Sequence, residues 1–429
     1  MTDRMLSRER LVVPGTQPGL ADRIARRALT TRLANLARGQ VVLDEPAARM
    51  TFGRVGPDFP VRAVVRVHDA ALYRKLALRG HIGAAEAFIA GAWSTDDLTA
   101  LIRILVRNRD VLDGFETGPA RFVQPVLRAW HALRRNTRSG SQRNIAAHYD
   151  LGNDFFALFL DPTMTYSGAV FERGDASLEE AQRAKYERVC GKLELGPHDH
   201  VLEIGTGWGG FALHAASRHG CRVTTTTLSR EQATLARRRI HEAGLQDRIT
   251  VLTQDYRELT GVYPKLASIE MVEAVGSEHL DAFCRVLSDR LAPDGMACLQ
   301  AITIADQAYE RALRSVDFIQ RYVFPGGFLP SVAALTAALA RASDLRLFQL
   351  EDLTPHYERT MREWRERFGA SREAIRGLGY GEEFLRLWEF YLCYCEGAFA
   401  ERAIGSVQLL LTKPLCRRAP VLAAFDPAV

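Results

Sequence analysis

The sequence predicts an α/β protein: a doubly wound parallel sheet over the C-terminal two thirds, preceded by a smaller α+β domain. Three observations predict it. Short apolar strands at 201–204, 222–227, 249–252, 265–269 and 296–302 alternate with helical stretches, the order that buries a parallel sheet between helix layers. The first strand runs directly into a glycine-rich turn and a helix at 211–219. Composition and charge change near residue 140, which separates the front part from the rest.

The front part reads element by element. Pro14, Gly15, Pro18 and Gly19 break any regular structure before residue 20. Leu20, Ile24, Ala28, Leu29, Leu33 and Leu36 then recur at helical spacing, among Arg23, Arg26, Arg27, Arg32 and Arg38. Such a helix either lies on an anionic membrane or packs on its own domain, and both readings stay open. Residues 61–67 read as a strand, and 70–78 and 95–107 as helices. The polar, basic stretch 130–143 is a linker by composition. The expected plan is a basic docking domain at 1–129, the linker, and a catalytic domain at 144–429. In the latter, 388–403 reads as a late helix and 407–411 as a strand that joins the sheet edge.

Residues 1–140 hold 23 Lys+Arg against 13 Asp+Glu, and the remainder 33 against 38. A basic front on a neutral-to-acidic body suits a polyanion surface. No zinc-finger or RNA-binding-sheet motif accompanies it, so an anionic membrane is expected and nucleic acid is not. No apolar run approaches the ~20 residues that span a bilayer, and residues 1–19 lack the order of a secretory signal. The expectation is a cytoplasmic chain, peripheral on the inner face of the membrane. The seven dispersed cysteines are expected to be reduced thiols, and their spacing calls for no metal.

The sharpest motif is Val201-Leu-Glu-Ile-Gly-Thr-Gly-Trp-Gly-Gly210. Gly205 and Gly207 let the backbone pass close to a ligand, with unpaired N–H groups of a helix N-terminus behind them. Dinucleotide-binding folds use a related turn. Here Glu203 lies inside the strand, the spacing is Gly-x-Gly-x-Gly, and Thr227-Leu-Ser229 replaces the acid that would hold a dinucleotide ribose. These details resemble motif I of the Rossmann-like class I S-adenosylmethionine methyltransferases.

A longer series narrows the resemblance: His148-Tyr-Asp-Leu-Gly-Asn-Asp-Phe-Phe156, Met164-Thr-Tyr-Ser-Gly168, Thr227-Leu-Ser-Arg-Glu-Gln232, Glu270-Met-Val-Glu-Ala-Val-Gly276, Tyr322-Val-Phe-Pro-Gly-Gly-Phe-Leu-Pro330, Pro355-His-Tyr357 and Cys395-Glu-Gly-Ala-Phe399. In this order they resemble the cyclopropane-fatty-acyl-phospholipid synthases and related mycolic acid methyltransferases. The resemblance implies that Tyr166 and Ser167 contact the methionine part of the cofactor, with Gly205 and Gly207 beneath it. It implies Thr227, Leu228 and Gln232 on the ribose and adenine side, and Gln254, Asp255 and Tyr256 flanking the adenine. Family members often dimerise, which leaves a homodimer open.

Family members also hold a bicarbonate ion near the transferred methyl, through a Cys, a Glu, a His, a Tyr and a backbone N–H. Glu273, Tyr357 and Ile302 match three of these positions. Gly168 stands at the Cys position and Gln300 at the His position. Gln300 can donate a hydrogen bond but cannot titrate near neutrality, so bicarbonate stays open here.

The implied activity is methyl transfer to a double bond in the acyl chain of a membrane phospholipid. Methyl transfer leaves a cation that a carboxylate such as Glu273 can stabilise. Proton loss from the new methyl closes a cyclopropane; loss from a neighbouring carbon gives a methylene- or methyl-branched chain. A small-molecule C-methyltransferase is the alternative of another class. Phe318, Tyr322, Phe324 and Phe328 either line an acyl channel or form ordinary core.

Overall fold

The computed structural model describes residues 19–110 and 151–419. The expected breakers before residue 19, the linker at 130–143 and His148 lie outside the described residues. The chain packs as two compact units. The first takes in the described part of Met1–Arg134 with Arg314–Pro325 and Glu358–Ile404; the second takes in the described parts of Arg135–Leu313 and Gly405–Val429 with Gly326–Tyr357.

In the first unit a four-stranded sheet has the order β2-β1-β3-β4, with β1 at Gly39–Glu45, β2 at Ala48–Arg54, β3 at Arg62–Val67 and β4 at Trp93–Thr95. The expected strand at 61–67 is β3. The β1–β2 hairpin has no counterpart in the sequence reading; β2 alternates over Ala48–Phe52 but is a half-exposed edge strand with no fully buried position. The expected helix at 70–78 extends over Ala71–Ile89 and kinks at Gly80 (φ 57°), where the periodicity fades. The helix expected at 95–107 starts instead at Leu98. The Asp97 carboxylate caps it by accepting from Ala100 N–H at 2.8 Å, and Thr95 ends β4.

The apolar positions of the first helix, Leu20–Leu33, divide between two faces. Ala25, Leu29 and Leu33 are buried, while Leu20 and Ile24 remain 69% and 62% exposed beside exposed Arg23 and Arg27. The late helix Glu382–Ala400 belongs to the first unit, where Phe390 packs on Phe88 and Phe318. Phe318 is core there, with half-buried Tyr322 against it and half-buried Phe324 against Tyr391, and Phe328 is core in the second unit.

The second unit is built on a seven-stranded sheet of order β10-β11-β9-β8-β5-β6-β7. Its strands are β5 at His200–Ile204, β6 at Arg222–Thr226, β7 at Ile249–Leu252, β8 at Tyr263–Ile269, β9 at Leu291–Ile304, β10 at Arg346–Asp352 and β11 at Ile404–Thr412. β5 to β8 match the expected strands closely, and 296–302 lies within the longer β9. β11 lies between β9 and β10 instead of ending the sheet. β10, mostly exposed at the edge, has no buried stripe to betray it.

Neighbouring β5 residues serve opposite faces: Val201 packs in one apolar cluster with Phe211 and Val223, Leu202 in another with Leu266 and Phe283. A parallel strand covered on both sides must be largely apolar, as β5 is apart from half-buried His200 at its start and Glu203. The sheet order reverses beside β5, and ligands bind at the carboxyl ends of strands at such a point.

All seven cysteines are free thiols. Cys190 comes within ligand distance of His214 and His219, a grouping that sequence spacing does not signal. Both imidazoles hydrogen-bond the Glu187 carboxylate, and burial pushes the Cys190 thiol up.

Candidate active site

A cavity opens at the carboxyl ends of β5, β6 and β8. Its floor is the turn after β5. Gly205, Gly207 and Gly209 all have positive φ (107°, 51° and 85°). The N–H groups of Gly205 and Thr206 donate to Thr226 O at 3.1 and 3.0 Å, which fastens the turn to the end of β6. Arg239 clamps it from outside by donating to Thr163 O and Trp208 O at 3.0 and 2.7 Å.

The wall contains Glu203, Gly205 and Gly207 from this floor, and Tyr166 and Ser167 from the segment before the sheet. After β6 come Thr227, Leu228 and Gln232, and after β7 come Gln254, Asp255 and Tyr256. Thr227 donates to Gln232 Oε1 at 2.9 Å, and Ser229 caps the helix Arg230–Glu242, so this turn is held from within. Asp255 pairs with Arg257 at 2.6 Å, which orients the segment carrying Tyr256.

The cavity also has groups suited to a charged, polar ligand. Glu203 Oε2 and the Tyr256 hydroxyl are buried without a hydrogen-bond partner. Burial pushes the Glu203 carboxyl up to about 8, opposed by the Thr225 hydroxyl and by Lys185. Orphaned polar atoms on a cavity wall fit a ligand that brings its own amino and hydroxyl groups. S-adenosylmethionine is such a ligand, and these residues would hold it.

Lys185, not singled out from the sequence, is fully buried and donates to Ser167 Oγ at 2.6 Å. Burial lowers it to about 7, against the pull of Glu270, Asp161 and Glu203. Its signal was a lysine on the inward stripe of the helix Leu178–Leu193, in register with buried Gln182 and Val189.

Glu270 is the centre of the polar cluster. It follows β8 directly, lines the cavity, and has φ 51°, a backbone state uncommon for a residue with a side chain. Its carboxylate accepts from Gly168 N–H at 2.9 Å, Gln300 Nε2 at 2.8 Å and the Tyr357 hydroxyl at 2.7 Å. The four residues expected to act in catalysis thus fall into two sets. Gln300 and Tyr357 serve Glu270. Glu273 accepts from Ile302 N–H, and its other oxygen is buried without a partner. None of these four is on the wall of the cofactor cavity itself.

Burial raises both carboxyls, and the charge of Glu270 helps to push Glu273 up to about 8. Three donors and Lys185 favour the charged form of Glu270, whereas Glu273 has the Ile302 N–H in its favour and the neighbouring Glu270 against it.

Bicarbonate does not fit this cluster. The Tyr357 hydroxyl, the Gln300 amide and Ile302 N–H already donate to the chain's own carboxylates. A Cβ on Gly168 would lie 2.5 Å from Tyr357 Cδ2, so the Tyr357 ring occupies the space a cysteine there would need.

Comparison with known proteins shows the family of the chain. The family model described as mycolic acid cyclopropane synthetase matches residues 136–409. A tuberculostearic acid methyltransferase of Mycobacterium tuberculosis is 39% identical over 351 residues, 80% of this chain and 81% of the relative. A cyclopropane-fatty-acyl-phospholipid synthase of Escherichia coli is 34% identical over 357 residues, 82% of this chain and 88% of the relative. Among solved structures, a mycolic acid cyclopropane synthase complexed with SAH and CTAB superposes with a TM-score of 0.60 at 33% identity, covering 63% of this chain and 98% of that one. The chain thus belongs to the mycolic acid cyclopropane synthetase family of S-adenosylmethionine-dependent methyltransferases.

Proposed function

We propose that the chain transfers a methyl group from S-adenosylmethionine to a cis double bond in the acyl chain of a membrane phospholipid and closes a cyclopropane there. The observation that carries this reading is a cavity whose wall includes a buried carboxylate, Glu270, that accepts from three donors. When bound, S-adenosylmethionine supplies an electrophilic methyl on a good leaving group. The chain's part is to hold the alkene in line with that methyl and to keep water out. The cation left on the acyl chain is stabilised by the Glu270 carboxylate and by aromatic faces such as Tyr166.

The test uses vesicles of monounsaturated phospholipid with S-adenosylmethionine. The expected product is a phospholipid acyl chain heavier by one methylene, with the double bond consumed. The branched products carry the same added mass but keep one double bond, exocyclic in a methylene-branched chain and within the chain in a methyl-branched alkene. No gain on phospholipid, with gain on a soluble alkene, would move the reading to a small-molecule C-methyltransferase.

Access to such a substrate needs a membrane surface. The outward face of the first helix, with Leu20, Ile24, Arg23 and Arg27, supports docking on anionic lipid as a peripheral protein at the inner face. Each basic residue near such a surface contributes about 1 kcal/mol, screened over ~8–10 Å at physiological salt. Co-sedimentation with anionic vesicles is therefore expected to fall as salt rises, and to weaken roughly tenfold or more in the double change Arg23→Glu, Arg27→Glu. Equal, salt-insensitive binding to neutral vesicles would refute the electrostatic reading.

A further inference from the structure

The geometry points to Glu270 as a built-in anion: its carboxylate takes up the donors an external anion would need, and it is the base that removes the proton after methyl transfer. This rests on the methyl-transfer reading above and goes beyond it in naming the base.

Three observations carry it. First, Glu270 collects the Tyr357 hydroxyl, the residue-300 side chain and the residue-168 backbone on one carboxylate, at 2.7 to 2.9 Å. Second, it lines the cavity, so it can reach atoms reacting there, whereas Glu273 does not line it. Third, the donor that replaces histidine is locked in orientation. Lys192 can only donate, and does so to Gln408 Oε1 at 2.7 Å. Gln408 must then present its Nε2, which donates to Gln300 Oε1 at 3.0 Å. Gln300 is left with its Nε2 toward Glu270 and Gly168 O, at 2.8 and 3.0 Å. A salt bridge from Lys192 to Glu351, itself gripped by Arg188, anchors the chain of bonds at the sheet edge. Gln408 and Lys192 are thus positioning residues.

The step balances within the chain and its substrates. The sulfur–methyl bond breaks as the alkene's π electrons form the new carbon–carbon bond, leaving a cation on the neighbouring carbon. A Glu270 oxygen then takes a proton. If it comes from the new methyl, the C–H electron pair closes the ring; if from the adjacent chain carbon, the pair forms a new double bond. Glu270 is left as the neutral acid and returns the proton to solvent after product release.

The experiment compares turnover in buffer stripped of carbon dioxide, with and without added bicarbonate, and then in Glu270→Ala and Glu270→Gln. Wild-type turnover should be the same in both buffers. Both variants should lose at least ~100-fold in turnover, with cofactor affinity by calorimetry within about threefold. Millimolar formate or bicarbonate should restore Glu270→Ala roughly tenfold, by refilling the vacated space, and should leave Glu270→Gln unchanged. Gln408→Leu, which frees the Gln300 amide to flip, should lower kcat about tenfold and displace the acidic limb of its pH profile with KM unchanged; a packing role alone would not move that limb. A wild type that needs bicarbonate, or a Glu270→Gln enzyme at wild-type rate, would overturn the inference. Absence of methyl transfer by the wild type in either buffer would instead sink the functional reading on which it rests.

Discussion

Gly205→Val is expected to abolish cofactor binding while leaving the fold intact. Gly205 has φ 107°, outside the regions open to residues with a Cβ. A Cβ there would also come within 3.3 Å of Met271 Cβ and Cγ. A β-branched residue adds stiffness to this conflict, and backbone strain of this kind costs about 1–3 kcal/mol before any clash is counted. The chain can relieve it only by moving the turn, which is held to β6 through Gly205 and Thr206 N–H. Any such movement displaces the cavity floor. Affinity by calorimetry should weaken at least ~100-fold, with unchanged far-ultraviolet circular dichroism. Gly207→Ala is the milder control: at φ 51° its Cβ meets nothing within 4 Å, so only the backbone penalty remains. Wild-type affinity in Gly205→Val would remove the turn from the cofactor site.

What the sequence disclosed divides along physical lines. The strand, the turn and the residues gathered on the cavity wall were legible because each depends on local spacing: a glycine where φ is positive, a cap at Ser229, a strand apolar on both faces. The polar cluster was legible only in part. Glu270 and Glu273 stand three apart in one motif, and which of them faces the cavity depends on the left-handed backbone at Glu270, a tertiary outcome. Lys185, Lys192 and Gln408 were missed. Each is a polar residue on an inward face, and sequence alone does not show which other elements supply its partners. The same applies to 314–325 and 358–404, which pack with the first unit although they follow the glycine turn in the chain.

Cofactor affinity should tighten as pH rises through neutrality toward about 8, and Glu203→Gln should remove most of that dependence. Burial holds the Glu203 carboxyl up at about 8, so below that pH it carries a proton. S-adenosylmethionine brings positive charge to this cavity, and a cation beside Glu203 favours its ionised form. Binding therefore expels the proton, and affinity gains up to about tenfold per pH unit until the free enzyme is itself ionised. Lys185, lowered to about 7, loses charge over the same range and works in the same direction, so Glu203→Gln leaves only a shallow residual slope. The stability of the cofactor-free chain should run the opposite way. A carboxyl raised from 4.5 to about 8 on folding contributes stability that is complete below 4.5 and lost as pH rises through about 8. Melting temperatures with and without cofactor should thus diverge toward pH 8 in the wild type and run nearly parallel in Glu203→Gln. Calorimetry in two buffers of different ionisation enthalpy would count the released proton directly. Proton release that persists unchanged in Glu203→Gln would assign the linkage to Lys185, and affinity independent of pH in the wild type would mean that neither group senses the cofactor's charge.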